Sequence, residues 1–456
     1  MLTKYLQQIA EWTHGRVHGD NVLIRGVSTD SRHVKLGQLF VALVGERFDG
    51  HEHVAAAAEK GAAAALVSRV QDVEIPQILV SDTLKALGDM AGARRRASSA
   101  RVIGITGSNG KTTVKTLTAT ILARHGRTHV NAGNFNNEIG MPLTLLEMPD
   151  DAEYAVLEMG AGKRGDIDYL AAIARPDIGL VNNIASAHVE RMGSIENIAE
   201  TKGAMYRSLP PDGIGIINAD DAFADYFAGL LGTRRALRFG LEREADVGAE
   251  IVEMHAGGSR FVLSTPQGDA EIALPLPGRH NIANAMAAAT IACALEVPLE
   301  HITHGLHHAG GVPGRLRSHT MPEGWKLIDD SYNANPASTR AAIDTLGLAE
   351  GESWLVLGDM AELGPDAREL HAQIGAYARE HGLARLFGVG LLSRAACDAF
   401  GSGGEHFSDQ SALIEVLRKE LHAGVTCLVK GSRSAAMDRV VAALEADAQE
   451  GGPHAS

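Results

Sequence analysis

The stretch that most constrains this chain is "RVIGITGSNGKTTVKTLTATILARHG", residues 101–126. An apolar strand pattern runs into a short glycine-containing loop, and the loop opens a helical pattern. The end of the loop fits the phosphate-binding pattern G-x-x-x-x-G-K-[ST] at Gly110, Lys111 and Thr112, but the position of the first glycine holds Ile105. Gly107 and Gly110 allow backbone N–H groups to approach an anion, and the helix N-terminus adds partial positive charge. Lys111 can neutralise terminal phosphates, and the Thr112 hydroxyl can reach Mg²⁺. An ordinary glycine-rich strand–helix turn is the alternative. The run G-K-T-T in strand–loop–helix context favours a nucleotide site and marks Ile105 as a variation on the pattern.

Around this stretch the fold class reads as α/β in three domains, 1–99, 100–316 and 317–456. A chain of 456 residues exceeds one ordinary core. The first block holds short apolar stretches ("QLFVALVG", "AALVS") and an alanine-rich helical run, "HVAAAAEKGAAA". In the central block, strand-like "RVIGIT", "YAVLEM", "IGLVNN" and "GIGIIN" alternate with helical patterns, which argues for a mostly parallel sheet with helices on both faces. "AEIVEMHAGGSRFVLSTPQGDAEIALPLPG" breaks that rhythm with polar–apolar alternation around glycine turns, and reads as an antiparallel addition. The last block, with "WKLIDD", "SWLVLGD", "RLFGVG" and "TCLVKG", reads as a smaller Rossmann-like α/β unit. The final "EADAQEGGPHAS" is expected to fray.

Charge and cysteine usage bound the partners. The net charge of −14 argues against broad nucleic-acid binding, so positive charge for an anionic ligand must be local. No apolar run has the length of a membrane span, and polar residues interrupt the first 15. Cys293, Cys397 and Cys427 are scattered, without zinc spacing, which fits a reducing cytoplasm. The triplet "RRR" at 94–96 reads as a solvated helix end.

Glu158 ends the apolar run "YAVLEMG". In nucleotide-binding sheets the ligand crevice lies at the carboxyl ends of the strands, so this acid is a candidate Mg²⁺ ligand, with a plain surface acid as the alternative. His188 is a lone histidine, which by itself is more often structural. "HGLHH" and "DGHEH" lack ligand spacing. Lys202, in "IAETKGAMY", reads from pattern alone as a solvated helix lysine.

Taken in order, "GITGSNGKTT", "NAGNFNNEIGMPLTLL", "LEMGAGKRGDI", "NNIASAHVERMGS", "LPGRHNIANAMAA", "VPGRLR" and "DDSYNANPAS" resemble the Mur ligase family, which builds peptidoglycan precursors and whose phosphate loop lacks the first glycine. "LGDMAELG" and "VKGSRSAAM" resemble the member that adds D-Ala-D-Ala to a UDP-MurNAc-tripeptide. The resemblance implies three domains: an N-terminal UDP-substrate-binding domain, a central ATP-binding domain, and a C-terminal domain that contributes to ATP and D-Ala-D-Ala binding. It implies that ATP phosphorylates the tripeptide carboxylate and that the dipeptide amine attacks the acyl phosphate.

It also implies site residues. Gly107, Ser108, Asn109, Gly110, Lys111, Thr112 and Thr113 would hold ATP phosphates, with Arg315 as a further cation. Asn284 matches an adenine contact, with Asn281 one turn away, and Asp330 matches a ribose contact. Thr112, Glu158 and His188 would hold Mg²⁺, expected as two ions. Lys202 matches the lysine that the family modifies with CO₂, and its carbamate would join that set. Ser28, Thr29, Asp30, Ser31 and Arg32 should bind the UDP-sugar end. Asn134, Asn136 and Asn137 suit the UDP pyrophosphate or the phosphorylated carboxylate, and Asn333 and Asn335 are active-site turn residues. For the dipeptide the candidates are Asp359, Glu362, Ser432 and Arg433, since an arginine fork binds a carboxylate bidentately; an interdomain salt bridge is the alternative for Arg433. One departure is Tyr332, where some family members carry lysine, so that lysine's phosphate role does not transfer.

The expected partners are therefore small molecules, with no nucleic acid and no membrane span, acting on a monomer. Rival readings are the sister ligase that adds the third amino acid, folylpolyglutamate synthase, a nucleotide switch, and a dinucleotide-binding redox enzyme. The "DNPR"-like motif of the sister ligase is missing here. Folylpolyglutamate synthase lacks this first block, and "GITGSNG" does not give the G-x-G-x-x-G spacing that the redox reading needs.

Overall fold

A computed structural model describes residues 2–185 and 189–450. Its central feature is a six-stranded, wholly parallel sheet. The strand order is Arg235–Phe239, Ile214–Asn218, Ile178–Val181, Arg101–Thr106, Tyr154–Glu158, Thr128–Val130. Arg101–Thr106 lies in the interior, and every residue after Arg101 is buried. This is the continuous apolar pattern of a strand covered on both faces. Strand order reverses around it, because the next strands in sequence lie on one side and the later ones on the other. The carboxyl ends of Arg101–Thr106, Tyr154–Glu158 and Ile178–Val181 therefore frame a crevice.

The two faces of this sheet belong to different cores. On one, Phe239, Phe261, Leu263 and Ile272 pack with the helix Arg279–Ala294, so the antiparallel sheet Gly248–His255, Gly258–Thr265, Gly268–Leu274 closes that side. On the other, Val102, Leu157 and Leu170 share one apolar cluster with Leu6, Ile24, Leu66 and Leu87 of the first block. The first block has its own five-stranded sheet, Arg16–His18, Gln77–Leu79, Ala64–Val67, Leu39–Val41, Val27–Ser28; one face adds to this shared cluster, while Phe40, Ala42, Val54, Ala65 and Val67 form a small cluster of the block's own.

Two sequence readings are corrected here. The alanine run "HVAAAAEKGAAA" is not one helix: the helix Val54–Glu59 stops before Gly61, at φ +95°, and Ala64–Val67 is a strand. The "RRR" triplet is not a solvated helix end. It closes the helix Thr83–Arg96, and Arg94 is buried, donating to Met148 O (2.7 Å) and pairing with Asp150. Arg95 donates to Ala174 O and Asp177. Both arginines reach acceptors on the next block, which their local pattern does not reveal.

The third block carries a six-stranded sheet in the order Arg317–Thr320, Lys326–Asp330, Val425–Lys430, Glu352–Gly358, Arg385–Val389, Gly404–Phe407. Only the first pair is antiparallel. Its two faces bury two clusters drawn from residues 316–444 alone. The helix Asp438–Glu450 continues into the segment expected to fray. Among the described residues no helix is long and apolar enough to cross a membrane.

Candidate functional site

The loop 107–110 turns the chain from strand into the helix Lys111–Ala123. Its glycines are sterically required. A Cβ on Gly110 (φ +78°) would sit 2.3 Å from Asn284 Oδ1 and 2.5 Å from Asn182 Nδ2, and one on Gly107 (φ +149°) would sit 3.0 Å from Asn182 Cβ. Ile105 has a different cause. It is still strand, paired with Glu158 and Leu180, and its side chain is fully buried. A glycine there would forfeit about 1.5–3 kcal/mol of apolar burial. Amides hold the loop in place. Ser108 and Asn109 N–H donate to Asn183 O and Oδ1, both at 2.9 Å, and Asn182 and Asn183 Nδ2 donate to Asn109 O at 3.0 and 3.1 Å. Sequence reading missed both asparagines; their signal is an amide pair at the end of an apolar strand. The Lys111 ammonium donates back to Gly107 O (2.8 Å) and Ser108 O (3.2 Å).

Glu158 ends its strand beside this loop and is 2% exposed. Thr112 Oγ1 donates to its Oε2 at 2.8 Å and Asn136 Nδ2 to its Oε1 at 2.7 Å, while Lys115 Nζ stands 3.7 Å from Oε2. Burial alone would raise this carboxyl, but Lys111, Lys115, the Thr112 hydroxyl and Arg315 together hold it below its ordinary value. Lys115, also missed, lies one turn beyond Lys111 and is tied to Asn131 O at 2.9 Å. Asn131 in turn bonds both the N–H and the C=O of Glu158. The set of a threonine hydroxyl and a carboxylate, hard oxygen donors at the helix N-terminus, fits a hard divalent cation.

Lys202 overturns its pattern reading. It is 2% exposed on the helix Ile195–Arg207, and burial, with repulsion from Lys111 added, pushes its amine down to about 7 against the pull of Asp166. His188 lies outside the described residues.

The third block meets the loop directly. Asn335 caps the helix Pro336–Leu346 by accepting from Ser338 N–H, and its Nδ2 donates to Asn109 Oδ1 at 2.7 Å. Asp330 is buried and paired with Lys430 at 2.6 Å, and Lys430 also donates to Asn333 O at 2.9 Å. Burial pushes the Asp330 carboxyl above its ordinary value, against Lys430 and Arg315. Lys430, in "TCLVKG", was read only as part of a strand. Arg315 lies over the Tyr332 ring, 4.4 Å from its centroid. Glu362, in the left-handed region at φ +60°, pairs with Arg191 at 2.9 Å.

These groups surround one cavity of about 1340 Å³. Ser108, Asn109, Gly110, Lys111, Thr113, Asn136, Asn137, Glu158, Asn281, Asn284, Arg315, Asp330, Asn333, Asn335 and Glu362 line it, and Asp82 and Lys85 reach it from the first block. His280 also lines it; burial, then Lys430, pushes its ring down to about 4, so it is neutral at pH 7. Gly107 and Thr112 lie just behind this lining, within the loop and helix. Asn284 Oδ1 accepts from Asn182, and its Nδ2 donates to Asn281 Oδ1 at 3.2 Å.

Other candidates are not brought to this cavity. Ser28, Thr29, Asp30, Ser31 and Arg32 form a turn of their own, where Arg32, then His33, hold the Asp30 carboxyl well below the usual range. Asn134 is exposed and outside the lining, whereas Asn137, which is part of it, accepts at Oδ1 from Gly140 N–H. Asp359 Oδ1 accepts from Leu392 and Ser393 N–H, and its C=O accepts from the Ser432 N–H and hydroxyl. Neither these two nor the largely exposed Arg433 lines the cavity.

Three family models match the chain: the Mur ligase family catalytic domain at 23–95, the Mur ligase middle domain at 105–292, and the Mur ligase glutamate ligase domain at 314–433. The chain is 43% identical over 448 residues to UDP-N-acetylmuramoyl-tripeptide–D-alanyl-D-alanine ligase of Escherichia coli K12, covering 98% of this chain and 99% of that one. Its fold is similar to a crystal structure of MurF from Acinetobacter baumannii, with TM-score 0.92, 36% identity, and 97% and 99% of the two chains covered. It is also similar to MurF ligase of Thermotoga maritima, solved in complex with ADP, with TM-score 0.82, 27% identity, and 94% and 99% covered.

Proposed function

Because the chain belongs to the Mur ligase family, we propose that it joins D-alanyl-D-alanine to a UDP-N-acetylmuramoyl-tripeptide, with ATP as the activating substrate. It is an ATP-dependent ligase of peptidoglycan synthesis, and the sister activity of adding the third amino acid is set aside, since the full-length relatives carry the D-alanyl-D-alanine ligase name. The observation that carries the reading is the convergence of Lys111, Glu158, Arg315 and Asp330 on one cavity lined from all three blocks.

The chemistry follows from charge. A carboxylate is a poor electrophile and repels ATP, so cations must screen the two anions while their groups are aligned. Loop N–H groups and Lys111 would hold the phosphates, Arg315 would face the transferred phosphoryl group, and Asn284 and Asp330 would fix adenine and ribose. The γ-phosphoryl passes to the tripeptide carboxylate, releasing ADP. The dipeptide amine then attacks the acyl carbon, a proton leaves the nitrogen, and the tetrahedral adduct collapses to amide and phosphate. Asp359, Glu362, Ser432 and Arg433 would receive the dipeptide, and residues 28–32 the uridine end. Asn134, Asn136, Asn137 and Asn333 would line the path between them.

Mg²⁺ would be held by Thr112 and Glu158, and a second ion by His188 and a carbamate on Lys202, adding positive charge to the phosphates. Carbamate formation needs an unprotonated amine, and a lysine pushed to about 7 supplies one at neutral pH. The enzyme would act as a cytoplasmic monomer of three domains with the boundaries given above.

The test is phosphate release with ATP, Mg²⁺, UDP-MurNAc-tripeptide and D-Ala-D-Ala, each left out in turn. Dependence on all four is expected; release indifferent to the dipeptide, or better supported by free lysine or diaminopimelate, overturns the assignment. Lys202→Ala is expected to lose most activity, and a fully active variant rules out the carbamate.

A further inference from the structure

Tyr332 carries two guanidinium groups on one ring. The Arg315 carbon lies 4.4 Å from the ring centroid and that of Arg433 5.9 Å, both within the reach of a cation–π contact. Arg315 lines the cavity, whereas Arg433 belongs to the turn Arg433–Ala435 at the far end of the third sheet's "VKGSRS" segment. The ring's backbone is fastened to the arginine loop: Tyr332 N–H donates to Gly314 O at 3.1 Å. Gly314, at φ +72°, lies so close that a Cβ would sit 3.0 Å from Tyr332 Cβ. Arg433 is otherwise weakly held. Its side chain is 69% exposed, and the carboxylate beside it, Asp438, stands 3.5 Å away. No described residue hydrogen-bonds the Tyr332 hydroxyl.

Two like charges at one site repel unless something between them carries negative potential. The face of an aromatic ring does so without adding a formal charge that would compete with an anionic ligand for the guanidinium groups. A lysine at this position would add a third cation and could hold neither guanidinium.

We propose that Tyr332 is a positioning residue whose ring holds Arg315 and Arg433 together, so that one side chain sets both the phosphoryl end and the dipeptide end of the site. This rests on the ligase reading above. The ring, not the hydroxyl, is the working part. Bringing the dipeptide carboxylate to Arg433 therefore also constrains the ring that Arg315 lies on, and the second substrate can influence the group that faces the first.

The experiment compares Tyr332→Phe, Tyr332→Leu and Tyr332→Met by dipeptide-dependent phosphate release, with melting temperature as a control on folding. Y332F should match the parent protein. Y332L and Y332M should raise the dipeptide KM and lower kcat, each by roughly three- to tenfold, the range of one or two cation–π contacts. In an Arg433→Ala background the ring substitution should no longer move the dipeptide KM but should still lower kcat. Unchanged constants in Y332L and Y332M, or a Y332F as impaired as Y332L, overturn the proposal. A parent protein whose phosphate release ignores the dipeptide overturns the ligase reading instead. The effect of Y332L on ATP affinity then still tests the Arg315 half.

Discussion

At the scale of single residues, the site is a set of charges that are stable only as pairs. Asp330 and Lys430 show this most directly, with side chains 12% and 3% exposed and a 2.6 Å separation. Lys430→Met would leave a buried carboxylate without its partner, a change that costs roughly 3–5 kcal/mol. A lowered midpoint in urea unfolding is expected, with much of the loss recovered in the double variant with Asp330→Asn. How legible such residues are depends on whether their signal is local. Gly107, Gly110 and Lys111 stand in a contiguous pattern, and Glu158 ends an apolar strand. Lys430 and Lys115 have no local signal: each is an ordinary lysine until the fold brings a carboxylate to it. From pattern alone Lys202 reads as solvated for the same reason, since helical spacing does not say which face another element will cover.

At the scale of elements, the strands were the most readable part. Every strand-like stretch named in the central sheet is a strand there, and the antiparallel insertion is three strands as its alternation implies. Strand periodicity survives because a parallel sheet buried on both faces demands continuous apolar residues. The first block was less readable, since alanine suits a helix and a buried strand alike. The junction of strand Arg101–Thr106 with helix Lys111–Ala123 depends on a residue that can sit at φ +78° against two amides. Gly110→Ala forces both backbone strain and a collision with Asn284 and Asn182. ATP binding measured by calorimetry should fall below detection, and the melting temperature should drop by several degrees, about the response to 1–3 kcal/mol. A protein that binds ATP normally would show that the loop does not receive phosphates.

At the scale of the whole molecule, the third block is joined to the rest by polar contacts, among them Asn335 to Asn109 and Glu362 to Arg191, and among the described residues it shares no apolar cluster with the rest. Polar joints of this kind are weak enough for ligands to bias. Scattering should show a smaller radius of gyration with nucleotide and UDP-substrate bound than without, and Asn335→Ala should weaken that response; no compaction with both ligands counts against closure. The first and central blocks are joined otherwise, by a continuous apolar cluster with Arg94 and Arg95 anchored across the boundary. Three blocks therefore make two melting units. Calorimetry should resolve one transition for residues up to about the Arg315 loop and another for the remainder, and a protease cut near residue 316 should release a C-terminal fragment that refolds alone. A cut near residue 99 should instead leave two pieces that stay together or precipitate, because what reads in the chain as a boundary is, in three dimensions, a seam.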